Sequence, residues 1–114
     1  MEYGIKRALA SVKAASAMSQ MYDGTTPITI KEISDKCGLS TSYLEQIFVN
    51  FRAAKFVHSV RGPGGGYHVL NTNLTVADVI RVTAVAKKIE FYEPMLSALE
   101  GVRVASMGNP GMTK

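Results

Sequence analysis

The sequence predicts a mainly α domain carrying one small β-hairpin, on three observations. Two helical segments, "TIKEISDKCG" and "TSYLEQIFVNFRAAK", are joined by little more than "GLS". Two β-branched and aromatic runs, "KFVHSV" and "YHVL", flank the glycine-rich stretch "RGPGGG". Apolar residues recur at helical spacing on both sides of this block.

Residues 4 to about 22 are the first helix, because Ile5, Leu9, Val12, Ala15 and Met18 recur at three- and four-residue steps. "DGTTPIT" breaks it with Gly24 and Pro27. In the second helix Thr29 and Glu32 have capping-box spacing, Ile30, Ile33 and Cys37 share a face, and Gly38 ends it. The third helix aligns Leu44, Ile47, Phe48 and Phe51 on one face. Its opposite face shows Ser42, Glu45, Gln46 and Asn50, with Tyr43 on the flank. Two helices joined by so short a glycine-containing turn are a helix-turn-helix, whose second helix suits a DNA major groove.

The two β runs then pair around "RGPGGG", which is longer than a two-residue turn and is expected to be an open wing. A fourth helix, "LTVADVIRVTAVAKK", is capped by Thr75 with Asp78 three residues on, and Val76, Val79, Ile80 and Thr83 form its inner face. A last helix is expected from Pro94, with Met95, Leu99 and Val102 on one face and Leu96 widening it. That face is expected to be a dimer seam rather than core, since a helix beyond a completed small domain must bury its stripe somewhere. The tail "SMGNPGMTK" is expected to fray. The architecture is therefore a winged helix-turn-helix plus a C-terminal dimerisation helix. It divides into a DNA-binding unit at 1–84, a helical dimerisation segment at 85–106 and a flexible tail at 107–114.

At 114 residues the chain has room for one modest core. With 46% apolar and 19% charged residues it reads as globular rather than disordered. Its apolar stretches fall well short of the about 20 residues that a membrane span needs. The N-terminus has no apolar run before a cleavage site, and one cysteine rules out a disulfide framework. A cytoplasmic protein is expected. Thirteen Lys and Arg against nine Asp and Glu give a net charge of +4, which suits an anionic partner.

So dense a run of glycine costs backbone entropy, so some use must require it. A phosphate-binding P-loop needs a lysine and a hydroxyl after its last glycine, and "GPGGGY" has neither. The dinucleotide fingerprint opens a helix, whereas here a strand follows. An interdomain linker would not lie between matching strands. The use that remains is a wing whose main-chain amides approach phosphate, with Arg61 reaching a narrow minor groove. A plain flexible hairpin loop is the bland alternative.

The run "LSTSYLEQIFVNFRAAKFVHSVRGPGGGYHV", residues 39 to 69, resembles the iron–sulfur cluster regulators, the family of IscR, NsrR, RirA and CymR. "ITIKEISDKCGLS" upstream and "LTVADVIRV" downstream fit the same pattern, so the resemblance spans roughly residues 28 to 83. It implies a dimeric bacterial transcription regulator whose recognition helix and wing contact DNA. The implied DNA-binding positions are Ser40, Thr41, Ser42, Tyr43, Glu45 and Gln46 in the helix and Arg61, Gly62, Gly64 and Gly65 in the wing. The chemistry is compatible. Hydroxyls at a helix N-terminus donate to phosphates, Glu45 accepts from cytosine N4, and Gln46 pairs with adenine N6 and N7. Cluster-holding members of the family use three cysteines after the fourth helix. Here "VTAVAKKIEFYEPMLSALEGVRVASM" has no cysteine and no histidine, so no cofactor is expected.

Cys37 is expected to be a small buried hydrophobe rather than a redox thiol. His58 and His68 are expected to be polar wing positions rather than a metal pair, because no third ligand lies nearby. Lys31, Lys36, Arg52 and Lys55 surround the third helix, where each would meet phosphate or plain solvent. No nucleophile or acid–base pair is apparent, so the chain is not expected to be an enzyme. The sequence points to a sequence-specific DNA-binding repressor, a homodimer on a roughly palindromic operator. The alternative is a winged-helix protein-interaction module with weak or vestigial DNA binding.

Overall fold

The computed structural model describes residues 5–83 and 93–107. The elements run α1 (Ile5–Met21), α2 (Ile30–Cys37), α3 (Thr41–Ala53), β1 (Val57–Val60), β2 (Gly66–Val69) and α4 (Val76–Thr83). Helical backbone at 93–98 then passes into single 3-10 turns at Leu99–Gly101 and Val104–Ser106. The class is the one the sequence predicts, helices around one antiparallel two-stranded hairpin.

α1 buries a wider stripe than the expected one, shifted off Leu9; the side chain of Ile5 lies outside the described residues. Val12, Ala15 and Met18 are in the core, but Leu9 is 57% exposed and Ala8, Ser11, Ala14 and Ala17 are buried instead. The cause is what α1 touches. It packs on α2, α4 and the turn Val104–Ser106. A helix embraced from several sides needs small residues on its flanks, and the alanines supply them.

α2 and α3 follow their local signals closely. Thr29 and Glu32 form both halves of a capping box. Gly38 ends α2 at φ 80°, its amide donating to Ser34 O at 2.8 Å. The Ser34 hydroxyl donates to Leu39 O at 2.6 Å, which fixes the turn between the two helices. Ser40 caps α3, its Oγ accepting from the Tyr43 amide at 3.1 Å.

α3 stops at Ala53, two residues before the expected end, and a non-glycine residue turns the chain. Lys55 sits at φ 63°, in the left-handed region. Its amide donates to Arg52 O at 3.0 Å, and that of Phe56 donates to Phe51 O at 2.9 Å. This is a Schellman closure, with its usual apolar contact supplied by the Phe51 and Phe56 rings, 5.8 Å between centroids.

The hairpin pairs Val57 with Val69, His58 with His68, Ser59 with Tyr67 and Val60 with Gly66. Tyr67 packs on Phe48 at 4.7 Å between centroids and, on its other edge, exchanges both backbone hydrogen bonds with Ile28 (2.9 and 2.8 Å). The segment between α1 and α2 thus adds a one-residue third strand to the wing.

α4 has the expected Thr75–Asp78 capping box, with donations at 3.1 and 3.0 Å, and buries Val76, Val79, Ile80 and Thr83 as expected. Its expected continuation to Lys88, and the expected unit boundary at 84–85, lie outside the described residues. The C-terminal stretch departs from its expected stripe. Leu96 and Val104 are fully buried, Leu99 and Val102 are partly buried, and Met95 is 46% exposed. The helix gives way at Leu99, and Val102 is extended (φ −102°, ψ 110°). From there the chain pairs with the entry to α4: the Val76 amide donates to Val102 O at 2.8 Å and that of Val104 to Leu74 O at 3.0 Å. Arg81 adds ion pairs to Glu93 at 3.0 Å and Glu100 at 2.9 Å. Much of the apolar surface of this segment is therefore covered by its own chain. Of the expected tail, Ser106 and Met107 are described, Ser106 closing the last 3-10 turn and the Met107 carbonyl accepting from Ser16 Oγ and Gln20 Nε2; residues 108–114 lie outside.

Candidate nucleic-acid interface

Because α3 turns Leu44, Ile47, Phe48 and Phe51 into the core, the residues between them face out. Thr41, Ser42, Glu45, Gln46, Val49 and Arg52 are exposed, and Asn50, expected outward, is partly covered. At 100° per residue, Ser42 and Val49 stand opposite the buried line, with Glu45 and Gln46 on either flank. Glu45 and Gln46 have no hydrogen-bond or ion-pair partner among the described residues, so their full capacity faces solvent.

The N-terminal end of α3 is differently employed. Ser40 is exposed, but its oxygen serves as the helix cap, leaving its hydroxyl proton to donate outward. Thr41 and Ser42 are exposed beside it. Tyr43 is partly buried, with the Arg7 guanidinium 5.7 Å above its ring. This contact ties α1 to the start of α3, and the sequence reading did not include Arg7. Its signal is weak, since no spacing rule links residues so far apart.

The glycine stretch is more closed than expected. The Gly65 amide donates to Gly62 O at 2.9 Å, with Pro63 second and Gly64 third at φ 75°, the pattern of a type II turn. The Pro-Gly pair was the signal for it. An added Cβ at Gly65 would collide with the Val60 carbonyl oxygen, and one at Gly66 would stand 2.5 Å from Ile28 O. These two glycines answer the packing of the hairpin itself, and the Gly65 amide is spent within the turn. Arg61, Gly62, Pro63 and Gly64 are the exposed tip, and Arg61 has no polar partner among the described residues.

His58 and His68 do face each other across the hairpin. His68 Nδ1 is already hydrogen-bonded to the Tyr22 hydroxyl at 2.8 Å. No group of three or more possible metal ligands occurs among the described residues. Cys37 is 6% exposed and packed beside Ile33 in the core. Around α3, Lys31 pairs with Asp35 at 3.3 Å in solvent, while Lys36, Arg52 and Lys55 are exposed.

Known proteins share this fold. T. potens IscR superposes with a TM-score of 0.76 at 28% identity, over 94% of this chain and 86% of that one. CymR, the global cysteine regulator of B. subtilis, superposes at 0.74 with 25% identity, over 96% of this chain and 100% of that one. The HTH-type transcriptional regulator IscR of Sodalis glossinidius is 40% identical over 70 residues, which are 61% of this chain and 42% of that protein. This match therefore spans less than half the length of that relative. These relatives are named as regulators, not enzymes. Residues 7–106 match the model of the Rrf2 family, described as iron-dependent transcriptional regulators. A match over nearly the whole chain, on a shared winged-helix fold, makes this chain a member of the Rrf2 family.

Proposed function

We propose that this chain is a cytoplasmic, sequence-specific DNA-binding repressor acting as a homodimer on a roughly palindromic operator. α3 enters the major groove, where Glu45 and Gln46 meet base edges and the hydroxyls of Ser40, Thr41, Ser42 and Tyr43 meet phosphates. The wing tip, Arg61 with Gly62 to Gly65, lies along the adjacent minor groove. Two such units put half-sites about 34 Å apart. The observation that carries this reading is the exposure of Glu45 and Gln46 on the outward face of α3, with no polar partner among the described residues. Of the face expected to meet a second copy, Met95 is the exposed apolar residue.

The family description implies iron, and the residues present do not fit a cluster held by three thiolates. The chain has one cysteine, and it lies in the core beside Ile33. Regulation by expression level, a partner or a small ligand is therefore the reading for this chain.

The test is binding to fragments selected from random duplex DNA, titrated with salt. A binder that neutralises six or more phosphates loses about a thousandfold in affinity between 50 and 200 mM salt. A flat salt response with no selected consensus would favour the protein-interaction module.

A further inference from the structure

One side chain on the outward face of α3 is left without a task by the polar contacts. Val49 is 57% exposed, midway along the helix and between Glu45 and Gln46 around its axis. A β-branched residue in open helix loses rotamer freedom and gains no burial, so local stability does not favour it there. A lone apolar residue on a protein surface ordinarily needs no partner. This one is flanked by Glu45 and Gln46, which suit base edges and have no polar partner among the described residues.

We propose that Val49 is a specificity-determining residue whose isopropyl group packs on the C5-methyl of a thymine. The inference rests on the DNA-binding reading and deepens it. The thymine methyl is the apolar feature of the major-groove edge, and neither a carboxylate nor a carboxamide senses it well. Four residues of helix rise about 6 Å, against about 3.4 Å per base step, so the thymine lies within about two base pairs of the base met by Glu45. Glu45 and Gln46 then choose among hydrogen-bonding patterns, and Val49 adds a vote for thymine that hydrogen bonding does not supply.

The experiment uses the full chain and its selected DNA, replacing each thymine in turn by deoxyuridine, which removes the methyl and leaves every hydrogen bond in place. One position per half-site should weaken binding by about three- to tenfold. Val49→Ala should lose a similar factor on thymine DNA and nothing more when that position carries uracil. Alanine is the stronger helix former and the site is exposed, so the variant keeps its fold, which circular dichroism checks. The proposal is overturned if no thymine methyl matters, or if Val49→Ala stays as sensitive to uracil as the parent. Failure of parent and variant alike to bind any DNA would overturn the DNA-binding reading together with it.

Discussion

Gly66 and Ile28 approach so closely that a Cβ on residue 66 would stand 2.5 Å from the Ile28 carbonyl oxygen. The contact is the seam between the wing and the segment preceding α2, and it holds Tyr67 over Phe48. Gly66→Ala forces that backbone apart at φ 144° and should cost more than about 2 kcal/mol in urea unfolding. Gly64→Ala meets open space and carries the φ penalty alone, about 1–2 kcal/mol. Equal losses for the two would show that the seam contributes nothing.

Lys55 pays for the end of α3 with a left-handed backbone. Lys55→Gly removes that strain while keeping the Phe51–Phe56 contact, and should raise stability by about 1 kcal/mol. For a domain of this size the melting temperature should rise by about 4 °C. A fall would mean that the lysine side chain itself stabilises the turn.

Asp23 gives the clearest pH dependence. Its Oδ1 accepts from the amides of Thr26 at 2.7 Å and Thr25 at 2.8 Å, which pushes the carboxyl down from 3.8 to about 2. A folded pKa below the unfolded one means the contribution is complete above about pH 4 and disappears as pH falls through about 2. NMR titration of the Asp23 carboxyl carbon should show the low midpoint, and an ordinary carboxylate midpoint would remove the turn from the account.

Arg61 and Glu45 should fail in different ways. Arg61→Ala should lower specific affinity by about 1–3 kcal/mol, and Glu45→Ala should lose a similar amount while changing which base is preferred. Fluorescence anisotropy on the selected site and on single-base variants separates the two effects. Unchanged affinity and preference in both variants would strip these residues of their assigned roles.

What could be read from the chain alone was whatever is written within a few residues. The capping boxes at Thr29 and Thr75, the stop at Gly38, and the inward line Leu44, Ile47, Phe48 and Phe51 are contacts between neighbours in sequence, and the structure has each of them. The outward placement of Glu45 and Gln46 follows from the same helical period. The reading went astray where a distant segment chose the outcome. Leu9 has the right spacing for a core stripe, yet the close packing of α2, α4 and the Val104–Ser106 turn around α1 buries alanines instead. The same helical period places Val49 outside that inward line, and the structure leaves it exposed.

By itself, then, the sequence determined the order of helices and hairpin, the caps that start them, and the outward placement of Ser42, Glu45 and Gln46 on α3. Tertiary structure decided that Leu9 stays exposed while alanines line α1, that Gly66 lies against Ile28, and that Leu96 and Val104 fold back under the chain's own helices. The physical reason is range. Caps and helical faces are settled by hydrogen bonds and rotation over three or four residues. The approach of distant backbones and the covering of an apolar surface are settled by whichever remote segment packs there.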